Sequence, residues 1–162
     1  MSPDHTPGFQ FHSPGGPSQT VEERIRSLWH DYLIGMLGLS PPQAQVRIEA
    51  EVAGDFHAGL LQGLSDRGWR LAGARVLDIG CGTGALMATL ASGGAEVVGV
   101  EPGWQWTSVA SARFDSYADR TPCVVCADGA ALPIVDRTIQ YVLSLQVLEH
   151  MPMESVRAML SE

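Results

Sequence analysis

The sequence predicts an α/β fold, a parallel β-sheet with flanking helices, preceded by a helical segment. Three observations carry this expectation. From residue 74 onward, short β-branched runs alternate with stretches of helical periodicity. Such alternation calls for parallel strands joined by right-handed crossovers. The first run, Val76-Leu77-Asp78-Ile79, passes directly into the glycine-rich Gly80-Cys81-Gly82-Thr83-Gly84. No internal repeat competes with this pattern.

Residues 1–20 hold four prolines and three glycines with almost no aliphatic side chains. A segment of that kind buries too little surface to offset its ordering entropy, so a disordered tail is expected, with His5 and His12 in it. A helical segment over residues 21–69 follows. Thr20-Val21-Glu22-Glu23 has the capping-box pattern. Val21, Ile25, Leu28, Tyr32 and Met36 then recur at helical spacing, and Gly38 can end the helix. Ser40-Pro41 opens a second helix whose apolar stripe is Val46, Ala50, Ala53, Phe56, Leu60 and Leu64, closing near Gly68. Gly54, Gly59 and Gly63 weaken that helix and leave room for a break. His30 and His57 fall in this segment as surface or packing residues.

The core is expected over residues 70–162. Its strands are predicted at 75–79, 96–100, 123–126 and 139–145, with helices at 84–91 and 104–118 between them. The second of these helices carries Trp106, Val109, Ala110, Arg113, Phe114 and Tyr117. A last helical stretch covers 153–162.

The chain has 162 residues and a net charge of −8, and all ten of its basic residues are arginine. An acidic chain without a basic stripe is ill suited to grip a phosphate backbone, which favours a small-molecule partner over nucleic acid. No apolar run approaches the roughly 20 residues of a membrane-spanning helix, and no secretory signal opens the chain, so a cytoplasmic address is expected. Cys81, Cys123 and Cys126 make no disulfide framework. Cys123-Val124-Val125-Cys126 has metal-ligand spacing, but it lies in a predicted strand. Residues i and i+3 of a strand point to opposite faces, so no metal site is expected there.

The glycine turn after the first strand carries the chemistry. Glycine lets the backbone bend sharply and a ligand approach without a side chain in the way. Gly80, Gly82 and Ala85 also satisfy the G-x-G-x-x-A pattern of dinucleotide folds, with Glu101 about 20 residues on. Three features point elsewhere: Asp78 two residues before the first glycine, a third glycine at Gly84, and further motifs in order downstream. These are Val98-Gly99-Val100-Glu101-Pro102, Cys126-Ala127-Asp128-Gly129 and Ile139 to His150 with its Leu148-Glu149-His150 turn. Together they resemble the class I S-adenosylmethionine-dependent methyltransferases, in the small-molecule branch with a D-I-G-C-G-T-G loop. The resemblance covers about residues 70–151.

That resemblance implies a Rossmann-like core with S-adenosylmethionine as cofactor. Asp78, Gly80, Cys81 and Gly82 would wrap the methionine and ribose portion, and Glu101 would accept both ribose hydroxyls. Pro102 would pack on adenine. Trp106 either covers adenine too or serves as a core residue of its helix. Asp128 would bind the exocyclic amine of adenine, with the Gly129 amide reaching the ring, and backbone at Leu145 would line the pocket. Relatives have Phe-Asp where this chain has Ile139-Gln140, a loss read as structural. His150 is the one titratable group near the cleft suited to acid–base work at neutral pH. Its simpler role is a turn histidine that orients the following helix.

Relatives carry seven strands in the order 3-2-1-4-5-7-6, of which four are recognised here. The resemblance therefore implies the cofactor-binding half of an enzyme acting on a small-molecule acceptor. The fourth strand would be an edge open to self-association or to a completing partner. A non-catalytic S-adenosylmethionine-binding or regulatory domain stands as an alternative, and a nicotinamide-dependent oxidoreductase as another.

Overall fold

The computed structural model describes residues 19–54, 57–115 and 122–162. Residues 1–18 of the tail expected over 1–20, Phe56 of the second helical stripe and Tyr117 lie outside them.

Helix α1 (Val21–His30) starts at a complete capping box. Thr20 Oγ1 accepts the Glu23 N–H at 3.2 Å, and the Glu23 carboxylate accepts the Thr20 N–H at 2.7 Å. The chain continues as a π-helical turn over Asp31–Met36, in which the Leu37 N–H reaches the Tyr32 carbonyl five residues back at 3.0 Å. This turn corrects the expected stripe. The extra residue per turn rotates Met36 outward to 50% exposure, and Leu33 is buried in its place.

Helix α2 (Pro41–Ala53) is also opened by a capping box, between Ser40 and Gln43. It ends at Gly54, whose φ of 72° is the left-handed cap that glycine tolerates. Helix α3 (Ala58–Asp66) follows, so the expected break occurs. The buried face of α2 differs from the predicted one: Ala44, Ile48 and Glu51 face inward, while Val46 is 73% exposed. Glu51 decides the rotation. Its carboxylate pairs with Arg47 at 3.5 Å, and Arg113 donates to its carbonyl at 2.8 Å.

The sheet comprises β1 (Arg75–Ile79), β2 (Glu96–Glu101), β3 (Cys123–Cys126) and β4 (Tyr141–Leu143). All pairings are parallel and the order is β3-β2-β1-β4. Helix α4 (Ala85–Ser92) joins β1 to β2, and α5 (Trp104–Phe114) follows β2. A short 3₁₀ turn, Leu148–His150, and α6 (Met153–Met159) complete the described chain. This is the Rossmann-like arrangement the resemblance implied, with the N-terminal helices packed beside it.

Alternation along the strands splits the core in two. On one face Val76 and Val97 pack against Leu86, Met87 and Leu90 of α4 and Phe114 of α5. On the other Leu77, Ile79 and Val100 meet Met159 of α6. Strand β4 is shorter than the predicted 139–145, because the polypeptide on either side is held by other contacts. Gln140 donates its N–H to the Arg75 carbonyl at 3.0 Å, and its side-chain oxygen accepts the Arg75 N–H at 2.6 Å. The amide thus anchors the two strand starts to each other. Past the strand, Gln146 turns the chain away with a φ of 58°.

Cys123 and Cys126 are exposed free thiols. Among the described residues no group of three or more His, Cys, Asp or Glu is placed to hold a metal. No helix among them is long and apolar enough to cross a membrane.

Candidate active site

The carboxyl ends of β1, β2 and β4 open into a cleft of about 830 Å³, closed on its far side by α1, the π-helical turn and α2. The sequence-predicted residues from all four motifs line it.

The loop after β1 forms its floor. The Gly80 and Cys81 N–H groups both donate to the Val100 carbonyl, at 2.7 and 3.2 Å, which pins the turn across the end of β2. Gly80 has a φ of 76° and lies so close to the loop after β4 that an added Cβ would sit 2.2 Å from Val147 Cγ2. Gly82 (φ 53°) differs, since a Cβ there would meet no protein atom within 4 Å and would project into the cleft. The first glycine is thus required by the fold and the second keeps the floor open.

Asp78 is 1% exposed, and its Oδ2 has no hydrogen-bond partner. Burial, reinforced by the nearby Glu101 carboxylate, raises its carboxyl to about 7. Glu101 ends β2. Its Oε2 accepts the Gly82 N–H at 3.3 Å and its Oε1 the Gly103 N–H at 2.9 Å. Burial raises its pKa, and those two N–H bonds pull it back down. Each oxygen keeps acceptor capacity for a ligand hydroxyl. Burial also raises the Cys81 thiol, with Asp78 and Glu101 adding to the shift, so this cysteine is a packed neutral group rather than a nucleophile.

Pro102 lines the cleft beside Glu101. Asp128 lines the cleft just past the end of β3 and is exposed, its Oδ1 accepting the Ala130 N–H at 2.9 Å. Gly129 is buried next to Ile79, and Leu145 lines the wall after β4. Trp106 packs with Ile25, Leu28 and Val109, and it also lines the cleft.

Cleft residues from the helical segment escape the motif reading. Trp29, Tyr32 and Trp106 form an edge-to-face trio with ring centroids 5.3 to 5.8 Å apart. The Trp29 indole donates to Thr83 Oγ1 of the glycine loop at 3.2 Å. The Tyr32 hydroxyl lies 3.5 Å from His150 Nε2. Arg47 donates to the Gln146 side chain at 2.5 Å and sits 5.6 Å over the Trp29 ring. Three polar contacts therefore tie the helical cap to the loops after β1 and β4. The charged residues lining the cleft are Glu51, Asp78, Glu101, Asp128 and Glu149 against Arg47, an acidic balance.

A family model described as a methyltransferase domain matches residues 76–162, more than half of the chain. The chain belongs to the methyltransferase-domain family. The chain is 35% identical over 85 residues to an uncharacterized methyltransferase of Mycobacteroides abscessus, covering 52% of this chain and 33% of that protein. A ubiquinone biosynthesis O-methyltransferase of Azorhizobium caulinodans is 40% identical over 82 residues, 49% of this chain and 31% of that one. The chain thus spans about a third of the length of these curated relatives. The magnesium protoporphyrin IX methyltransferase of Synechocystis PCC 6803, solved with bound S-adenosylmethionine, superimposes with a TM-score of 0.59 at 24% identity, over 91% of this chain and 72% of that one. That likeness reaches beyond the matched domain into the helical cap, as its coverage of this chain requires.

Proposed function

We propose that the cleft binds S-adenosylmethionine and that this chain is the cofactor-binding half of a methyltransferase acting on a small-molecule acceptor. One observation carries the reading: a buried carboxylate, Asp78, and a half-buried one, Glu101, flank a glycine turn that leaves space beside Gly82. Asp78 Oδ2 has no protein partner to offset its burial, which is the situation of a group built for a cationic ligand. Glu101 is fixed by two backbone amides and can accept two vicinal hydroxyls. The acidic lining suits a ligand carrying an ammonium and a sulfonium. It suits a dinucleotide pyrophosphate poorly, which disfavours a nicotinamide cofactor.

When bound, S-adenosylmethionine supplies an activated methyl group. The protein's task is then to hold the acceptor in line and keep water away. Transfer to an O–H or N–H acceptor releases one proton. In this proposal exposed His150, whose Nε2 lies 3.5 Å from the Tyr32 hydroxyl, has the role of receiving that proton and passing it to solvent.

Photo-crosslinking with radiolabelled S-adenosylmethionine tests the binding. Label should map to peptides around the glycine loop and β2, and S-adenosylhomocysteine should displace it while NAD does not. Displacement by NAD, or label elsewhere on the chain, would overturn the proposal.

A further inference from the structure

The cleft has two chemically different halves. The floor, at the strand ends, carries Asp78, Glu101 and Asp128. The mouth is built by the π-helical turn Asp31–Met36 and the residue after it, and it is apolar. Tyr32, Leu33, Met36 and Leu37 all line the cleft there. Met36 and Leu37 are 50% and 48% exposed, large apolar side chains left at the rim. They are held outward by the wide turn, through the Leu37 N–H to the Tyr32 carbonyl at 3.0 Å and the Leu39 N–H to the Leu33 carbonyl at 2.9 Å. A single π turn within an α-helical run is a costly local geometry that occurs frequently at functional sites.

Behind that rim stand the flat walls of Trp29, Tyr32 and Trp106. One polar pair interrupts them, the Tyr32 hydroxyl and His150 Nε2. The chemistry available to an anion is poor. Arg47 is the one arginine among the described lining residues, and it is already engaged by Gln146, Glu51 and the Trp29 ring. Burial, reinforced by Glu149 beside His150, raises the Tyr32 phenol, so Tyr32 stays a neutral hydroxyl.

We propose that this mouth is the acceptor subsite, and that it selects an uncharged planar molecule with a single hydroxyl, a phenol in chemical class, while rejecting acceptors that carry a carboxylate or phosphate. The ring lies against the aromatic trio, its apolar body meets Met36 and Leu37, and its hydroxyl hydrogen-bonds the Tyr32–His150 pair. The acidic lining repels a second, negatively charged substituent. The inference rests on the proposed cofactor site, which fixes the floor as the place of the methyl donor and leaves the mouth for the acceptor.

The test compares two probes that share a ring system: 2-naphthol, and 6-hydroxy-2-naphthoic acid, which adds one carboxylate. Binding is measured by equilibrium dialysis against the full chain saturated with S-adenosylhomocysteine, whose own affinity is read separately by calorimetry. The naphthol is expected to bind at least about tenfold more tightly than the naphthoate, a difference of about 1.4 kcal/mol. Met36→Glu should weaken the naphthol by about fivefold or more while the affinity for S-adenosylhomocysteine stays within about twofold. Val46→Glu places the same charge on the outer face of α2, away from the cleft, and should leave naphthol binding unchanged. Equal or tighter binding of the naphthoate overturns the inference. So does an absence of naphthol binding alongside normal S-adenosylhomocysteine binding, or a Met36→Glu chain that binds naphthol as before. Failure to bind S-adenosylhomocysteine at all would instead sink the cofactor assignment, and this inference with it.

Discussion

Asp78→Asn removes a carboxylate that the fold buries without a partner for Oδ2. The group titrates at about 7 in the folded chain against 3.8 in the unfolded one, because burial and Glu101 both disfavour its charge. Between those values the folded chain holds a proton that the unfolded chain has released. Its contribution to stability is therefore complete at low pH and is lost as pH rises through 7. A shift of roughly three units corresponds to about 4 kcal/mol as an upper bound, which relaxation around the site reduces. Wild-type protein should lose up to that much more stability than Asp78→Asn between about pH 4 and pH 8. Glu51 and Glu101 are also raised by burial and titrate in both proteins, so the difference between profiles reports Asp78 together with its coupling to Glu101. Urea unfolding followed by tryptophan fluorescence at stepped pH measures it. The same substitution should weaken S-adenosylmethionine binding by about 1.5–3 kcal/mol, the range for a hydrogen bond to a charged group. Parallel pH profiles for the two proteins would refute the argument that this carboxylate is held at the expense of stability.

Other positions give independent checks. Glu101→Ala should fold normally, and calorimetry should show a loss of about 2–3 kcal/mol of S-adenosylmethionine affinity, as expected for a carboxylate that accepts ligand hydroxyls. Gly80→Ala should lower stability by about 2 kcal/mol or more in urea titrations, since it combines a left-handed φ with the contact to Val147, and Val147→Ala should recover part of that loss. Strand β4 is a sheet edge among the described residues and Val142 is 54% exposed, so light scattering should show concentration-dependent self-association that Val142→Lys suppresses.

The sheet and its glycine loop were legible because their signals are local. β-Branched runs set β1, β2 and β3 to within a residue of the predicted spans, and the order of acidic motifs along the chain located the strand ends. What the sequence left hidden was decided at long range. Val46, Ala50 and Ala53 made a plausible apolar stripe, yet α2 turns its Ala44–Ile48 face inward because buried Glu51 meets Arg47 and Arg113 there. Hydrophobic periodicity counts a glutamate as a surface residue and cannot see its partners. Met36 was misplaced for a related reason, since a π turn leaves no mark in the spacing that precedes it. The motif residues were gathered into one cleft as their order implied. Trp29 sits one position off the α1 stripe, and its contact with Thr83 exists only after the cap docks, so the mouth of the cleft had no sequence signature.

In the proposed reading the cleft is built for S-adenosylmethionine rather than a dinucleotide. Isothermal titration of the purified chain with each ligand in turn tests it most directly. Saturable heat with S-adenosylmethionine at one site per chain is expected, and none with NAD. Saturable heat with NAD and none with S-adenosylmethionine would contradict it.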